Sequence, residues 1–91
     1  MEYNTIIGNF LGRNISNLNW IDLMEVVGKI EDLSFDENLT YSVEIRNNGC
    51  RIFRSWTTAI IGNFGWHQTG DKKLSVIKAV SEFIIKVIYK K

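Results

Sequence analysis

The 91-residue sequence contains no proline, one cysteine and one histidine, and these scarcities exclude several kinds of chemistry. The single cysteine, Cys50, cannot form an intramolecular disulfide, which fits a reducing compartment. A zinc site needs clustered Cys and His ligands, so one of each is too few. A nucleophile paired with a histidine base could only be Cys50 with His67, and a small strand residue is the simpler interpretation of Cys50. We therefore expect a protein that is not an enzyme, with no catalytic residues, no cofactor and no metal.

Long apolar runs are also absent. None approaches the ~18 residues that a membrane span requires, and the acidic N-terminus does not resemble a signal peptide. Apolar residues make up 45% of the chain, which is enough for a packed core. We expect a single domain over residues 1–91, located in the cytoplasm and without a membrane partner.

Charge is divided unevenly along the chain. Residues 1–45 hold eight acidic and two basic side chains, a net charge of −6, whereas residues 46–91 hold two acidic and nine basic side chains, a net charge of +7. If the fold separates these halves, opposite poles would steer charged partners or self-association. If the fold interleaves them, the net field is small. The sequence leaves both arrangements open.

The longest periodic segment runs from Lys72 to about Tyr89, and its apolar residues fill one wide arc of a helical wheel. Asp71 precedes it as a predicted N-cap. An arc this wide needs both a sheet and another helix as neighbours. The opposite arc carries Lys78 and Lys86, which form either a solvated face or a stripe that binds a membrane surface or nucleic acid. The apolar arc is too wide to lie on a bilayer and also form the core of so small a domain.

Two shorter helices are predicted before it. Apolar residues at helical spacing predict a helix over residues 3–11, ended by Gly12. Asn19 and Asp22 form a capping box for a second helix, Trp20 to about Asp32, with Trp20 and Met24 in its apolar arc and Ile21 outside it. The pentapeptide IIGNF occurs at 6–10 and again at 60–64. We expect it to be helical in the first copy and at the end of a strand in the second.

Strand patterns fill the middle of the chain. Residues 34–40 form a polar connector, 41–46 alternate between apolar and polar, and Asn48-Gly49 predicts a type I′ turn that pairs Ile45 with Ile52. A three-residue loop, pairing Val43 with Phe53, is the alternative. Strands at 50–54 and 55–61 follow, and the glycine-rich segment 62–71 is predicted as a loop. The fold class is therefore α+β, a small three-stranded antiparallel sheet packed by two N-terminal helices and one long C-terminal helix.

The candidate binding residues are arginines interleaved with aromatic residues on the predicted hairpin, joined by two residues of the following loop. Arginine beside aromatic rings suits a protein interface, and it also suits phosphate binding with base stacking. A third interpretation places the rings in the core and the arginines at solvated strand edges. The residues are Arg46, Arg51, Phe53, Arg54, Trp56, Trp66 and His67.

Four phrases carry a resemblance: NTIIGNFLG at 4–12, NWIDLMEVVGKIE at 19–31, YSVEI with NNGCRI at 41–52, and KKLSVIKAVSEFIIKVIY at 72–89. Together they resemble a group of small uncharacterised proteins from phages and prophages of Bacteroidetes-type bacteria. These phrases are core-packing patterns, so they imply a shared fold, and the group has no catalytic residues to carry over. The chain departs from the group's W-Y-N ending, because Val87-Ile88-Tyr89 stands there.

The resemblance implies a phage or mobile-element context in a bacterial host cell, where small proteins often bind and disarm host systems, as anti-CRISPR proteins do. Our first hypothesis is a non-enzymatic inhibitor of a host defence protein or ribonucleoprotein, such as a CRISPR effector nuclease. The second is a small RNA- or DNA-binding module that uses the hairpin arginines and the lysines of the last helix. The third is self-association through opposite poles or an unpaired strand edge.

Overall fold

The computed structural model describes residues 2–36, 39–56 and 59–89. Two helices open the chain, four strands follow, and a helix closes the described part. Their bounds are α1 Tyr3–Leu11, α2 Trp20–Asp32, β1 Ser34–Asp36, β2 Leu39–Ile45, β3 Gly49–Trp56, β4 Ala59–Gln68 and α3 Lys72–Phe83. A π-helical segment, Ile84–Ile88, extends α3 by five residues.

Local sequence signals set the C-terminal end of α1 and the N-terminal end of α2, both where the sequence predicts them. Gly12 ends α1 with a φ of 77°, in the left-handed region that glycine occupies at little cost. Asn19 caps α2 because its side chain accepts a hydrogen bond from the backbone N–H of Asp22, 2.9 Å away. The Asp22 carboxylate accepts one in return from the backbone N–H of Asn19. Both predicted helices and the capping box are therefore confirmed.

The predicted C-terminal helix is also confirmed, with one change in its last turns. Asp71 caps α3 by accepting a hydrogen bond from the backbone N–H of Leu74 at 2.9 Å. Beyond Phe83 the spacing of the helical hydrogen bonds changes. The N–H of Tyr89 donates to the carbonyl of Ile84 at 3.0 Å. That bond spans five residues, which defines a π-helix rather than an α-helix.

The strands form one antiparallel sheet in the order β1-β2-β3-β4, a meander that follows the chain. This sheet with its helices confirms the α+β class. It holds one strand more than predicted, because β1 lies inside the polar segment 34–40 and pairs there with β2. A three-residue strand is too short to show an alternating pattern, so its sequence presents only a connector. Residues 37 and 38 lie outside the described part.

The register of the β2–β3 hairpin differs from both predicted registers. Ile45 lies opposite Cys50, and Val43 lies opposite Ile52. The turn is closed by the N–H of Arg46, which donates to the carbonyl of Gly49 at 2.8 Å. No described residue other than glycine has a positive φ, and Gly49 does not either, so the Asn48-Gly49 type I′ turn is wrong. Burial excludes the alternative with Val43 opposite Phe53, which would turn the apolar residues of the two strands to opposite faces. The Asn48-Gly49 register is two residues away and keeps them on one face, so the conformation of the turn separates it from the observed register.

The third predicted strand is displaced along the chain, and the loop predicted for 62–71 is wrong over most of its length. Ser55 and Trp56 belong to β3, while β4 continues through Gln68 despite its glycines. Register shifts along the β3–β4 pair show that β4 holds extra residues. Such bulges admit glycine within a strand, which explains why a glycine-rich sequence is not a loop here. The first IIGNF copy lies in α1, as predicted, whereas the second lies inside β4 rather than at the end of a strand.

One core lies between the helices and a single face of the sheet. Phe83 of α3 meets Tyr41 of β2 edge to face, with ring centroids 4.9 Å apart. Trp20 and Met24, predicted in the apolar arc of α2, are instead 39% and 43% exposed. The buried apolar residues are Ile6, Ile7, Leu18, Leu23, Val26, Val27, Ile30, Tyr41, Cys50, Ile52, Val76, Ala79, Val80, Phe83 and Ile84. None of the helices in the described ranges is long and apolar enough to cross a membrane.

Candidate functional site

The two faces of the β2–β3 hairpin carry different chemistry. Tyr41, Cys50 and Ile52 are buried against the helices. Side chains alternate between faces along a strand, so the intervening residues point the other way. We call this second set the outer face, which consists of Ser42, Glu44, Arg51 and Phe53. All four are half-buried.

Glu44 organises the charges of the outer face. It lies directly opposite Arg51 in the register, and Arg51 Nε donates a hydrogen bond to Glu44 Oε1 at 2.9 Å. Arg46 Nε lies 2.6 Å from Glu44 Oε2. The hydrogen bond from Arg51 is the main reason that the pKa of Glu44 lies below its ordinary value, with Arg46 adding to it. Glu44 is therefore ionised at neutral pH and holds both arginines in place.

Arg51 also lies over the ring of Phe53, with its guanidinium carbon 5.0 Å from the ring centroid. A guanidinium at this distance from an aromatic ring is in the range of a cation–π contact. Glu44 fixes Arg51 from one side while Phe53 supports it from the other. This ordering lowers the entropy that Arg51 would lose on binding a partner.

The structure separates the other predicted binding residues from the outer face. Arg54 lies opposite Tyr41 in β2, which puts it in register with the helix-covered face. His67 lies opposite Cys50, and its Nε2 hydrogen-bonds with the carboxylate of Glu82 on α3. The backbones of Trp56 and Trp66 lie in β3 and β4, and their side chains fall outside the described part. Of the seven predicted residues, Arg46, Arg51 and Phe53 are brought together.

Cys50 and His67 are neighbours across the β3–β4 pair, which the sequence did not predict. The thiol of Cys50 is fully buried, and burial raises its pKa to about 12. The reactive thiolate is therefore scarce at neutral pH. His67 contacts Glu82, whose pKa is held below its ordinary value by Lys86 first and by His67 second.

This burial predicts a slow alkylation of Cys50. At pH 8 iodoacetamide should modify the folded protein at least ~100-fold more slowly than the protein in 6 M guanidinium, since the thiol must be exposed by unfolding before it reacts. Intact-mass spectrometry over a time course measures both rates. Alkylation of the folded protein at the rate of a free thiol would contradict the placement of Cys50 in the core.

Of the two charge arrangements that the sequence leaves open, the structure shows partial interleaving of the acidic and basic halves. Glu44 belongs to the acidic half of the chain but pairs with two arginines of the basic half. Arg13, a base of the acidic half, bonds to both Asp22 and Glu25. Since α3 packs on the helix-covered face, its lysines do not form one basic surface with Arg51 of the outer face.

Sequence reasoning missed Glu44 as a member of the site. Its charge was visible, but its role depends on lying opposite Arg51, and both predicted registers pair it with another residue. The cross-strand match of opposite charges was itself a signal for the observed register. Among the described residues, no group of three or more His, Cys, Asp or Glu side chains is placed to hold a metal ion.

Comparison of the chain with protein-family models, with curated proteins and with solved structures finds no match. The chemistry of the outer face is therefore the basis for a functional proposal.

Proposed function

We propose that the chain is a non-enzymatic binding protein that engages a protein partner through its outer face. The observation that carries this proposal is the Arg51–Phe53 stack held by Glu44 on the side of the sheet away from the core. Arginine and aromatic residues are over-represented among the residues that dominate binding energy at protein interfaces. A pre-ordered arginine over a ring supplies such an anchor.

The charge balance of the outer face favours a protein over a nucleic acid. Glu44 offsets part of the positive charge of Arg46 and Arg51, and its carboxylate would repel a phosphate backbone. A protein interface, by contrast, accommodates mixed charges around an aromatic centre. Binding of RNA or DNA through the outer face is the alternative, and its affinity would fall steeply with salt.

The resemblance to small phage and prophage proteins indicates where to look for the partner. We propose a host defence protein or ribonucleoprotein, such as a CRISPR effector nuclease, that the chain inhibits by direct binding in the bacterial cell. A buried, protonated Cys50 and a His67 engaged by Glu82 support inhibition by binding rather than by chemistry.

A pull-down with the tagged protein from a bacterial host lysate, with and without nuclease, tests this proposal. We expect a partner that survives nuclease treatment, and Arg51→Ala or Phe53→Ala should reduce its recovery at least roughly tenfold, the usual loss at an interface hot spot. Lys29→Ala is the matched control, because Lys29 Nζ lies the same 5.0 Å above the ring of Phe10 on a different surface.

Two results would count against the proposal. Recovery that disappears with nuclease would show that nucleic acid is the ligand or the bridge. Equal recovery by the Arg51→Ala, Phe53→Ala and Lys29→Ala variants would show that the outer face is not the binding surface. Co-expression with restriction and CRISPR systems then tests inhibition, and relief of none of them would remove the basis for a defence inhibitor.

A further inference from the structure

The solvent-facing side of α2 carries an unusual set of residues. Ile21 is 78% exposed, Met24 is largely exposed, and Gly28 follows on the same side. Glu31 continues the line at the end of the helix. We call these four residues the α2 stripe. Ile21 and Gly28 are seven residues apart, so they point within about 20° of each other and lie ~10 Å apart along the helix.

The packing of a single chain explains neither the exposure of Ile21 nor the presence of a glycine at position 28. The core side of α2 is formed by Leu23, Val26 and Ile30, which point away from the α2 stripe. A glycine inside a helix is less stable there than alanine. Apart from the adjoining backbone of α2, no atom lies within 4 Å of the place where a Cβ on Gly28 would sit, so nothing else in the described chain requires its absence. The α2 stripe therefore presents a projecting apolar side chain and an unfilled recess.

Charges of opposite sign lie at the two ends of the α2 stripe. At the N-terminal end, Lys72 lines a groove of 270 Å³ together with Trp20, Met24 and Ile45. At the C-terminal end, Glu31 is exposed and makes no ion pair among the described residues. The α2 stripe thus has a cationic end beside its apolar half and an anionic end beside its recess.

We propose that the α2 stripe is a homodimer interface, in which α2 packs antiparallel against α2 of a second copy. In this dimer the two-fold axis passes between the two helices at the level of Met24 and Glu25. It places Ile21 opposite Gly28 of the second copy, and the reverse contact follows by symmetry. The projecting side chain of each copy then fills the recess of the other. A glycine at such a crossing allows the two helices to approach closely.

The same arrangement matches the remaining residues of the interface. Met24 meets Met24 of the second copy near the axis, and each Glu31 approaches Lys72 of the other copy. The two Glu25 carboxylates lie across the axis from each other, but each already accepts a hydrogen bond from Arg13 at 2.9 Å, which offsets their repulsion. A face with this pattern is self-complementary only when the helices run in opposite directions.

Sedimentation equilibrium over a concentration series tests the dimer. Two crossing helices bury less than the usual stable interface, so we expect a weak dimer with a Kd of roughly 10–100 µM. Ile21→Gln removes the projection and Gly28→Gln fills the recess, and each should raise the Kd at least roughly tenfold. Ile85→Gln, an exposed isoleucine near the end of the chain, is the matched control and should leave the Kd unchanged.

A charge exchange tests the antiparallel arrangement. Glu31→Lys and Lys72→Glu should each weaken the dimer several-fold, since each sets like charges against each other, and the double variant should return the Kd to within about twofold of the original. A wild-type protein that stays monomeric at ~1 mM would overturn the proposal, being far above the expected Kd. A dimer that the double variant fails to restore would overturn it as well.

The α2 stripe is separate from the outer face, so the dimer and the proposed partner binding can fail independently. Arg51→Ala and Phe53→Ala should leave the dimer Kd unchanged. A dimer weakened by either variant as strongly as by Ile21→Gln would place the interface on the hairpin and overturn the assignment to α2.

Discussion

Phe83→Ala should cost about 3–5 kcal/mol of folding free energy, the range for removing a buried aromatic ring. Phe83 is fully buried in α3, and its ring contacts Tyr41 of β2. The substitution opens a cavity between the helix and the sheet and also removes an edge-to-face ring contact. A domain of this length has a total stability of about 5–13 kcal/mol, so the loss is a large share of it.

Urea denaturation followed by circular dichroism measures this loss. Leu74→Ala is the matched control, because Leu74 lies on the same helix but is 37% exposed. It should cost only about 1–2 kcal/mol, since more than a third of its surface stays in water and its truncation opens no closed cavity. Equal costs for the two variants would show that α3 does not bury Phe83 against the sheet.

The second large effect concerns two glycines for which the same substitution should have opposite signs. Gly8→Ala in α1 should destabilise the protein by about 1–3 kcal/mol, because a Cβ there would lie 2.6 Å from the backbone carbonyl oxygen of Arg13. The N–H of Arg13 donates to the carbonyl of Gly8 at 3.0 Å, so the two segments cannot separate without losing that bond. Alanine's higher helix propensity does not compensate for this overlap.

Gly28→Ala in α2 should stabilise the protein by about 0.5–1 kcal/mol. The added methyl group meets no atom within 4 Å other than the adjoining backbone of α2, so only the gain in helix propensity remains. Both variants should be measured by urea denaturation at ~1 µM protein, far below the Kd expected for a weak dimer. A stabilising Gly8→Ala or a destabilising Gly28→Ala would contradict the surroundings described for these glycines.

The helices of this protein could be predicted because their signals are local. Asn19, Gly12 and Asp71 act on backbone groups within a few residues, so their effect does not depend on the rest of the fold. The exposure of the Trp20 and Met24 side chains could not be predicted in the same way. A helical wheel shows an apolar arc, but the neighbouring elements decide how much of that arc they cover.

The strands needed information that lies elsewhere in the chain. The Asn48-Gly49 register and the observed one both place the apolar residues of β2 and β3 on the helix-covered face, so the apolar pattern does not separate them. The strand β4 continues past its glycines because β3 pairs with it around two bulges. The candidate site could not be predicted for the same reason, because its contacts depend on the strand register. A shift of one residue decides whether Glu44 faces Arg51, and alternation decides that Arg51 and Arg54 point to opposite faces.

The order of the meander also bears on how the chain folds. Each strand pairs with the next one along the chain, so sheet formation requires only short loop closures, which favours rapid folding. Helix α1 is different, because it packs against α3, which lies at the other end of the described chain. Among the element pairs described, α1 with α3 and its π-helical extension are the farthest apart along the chain, so forming these contacts carries a large loop-closure entropy. Helix α1 is therefore the element expected to join the folding nucleus last and to leave the native ensemble first.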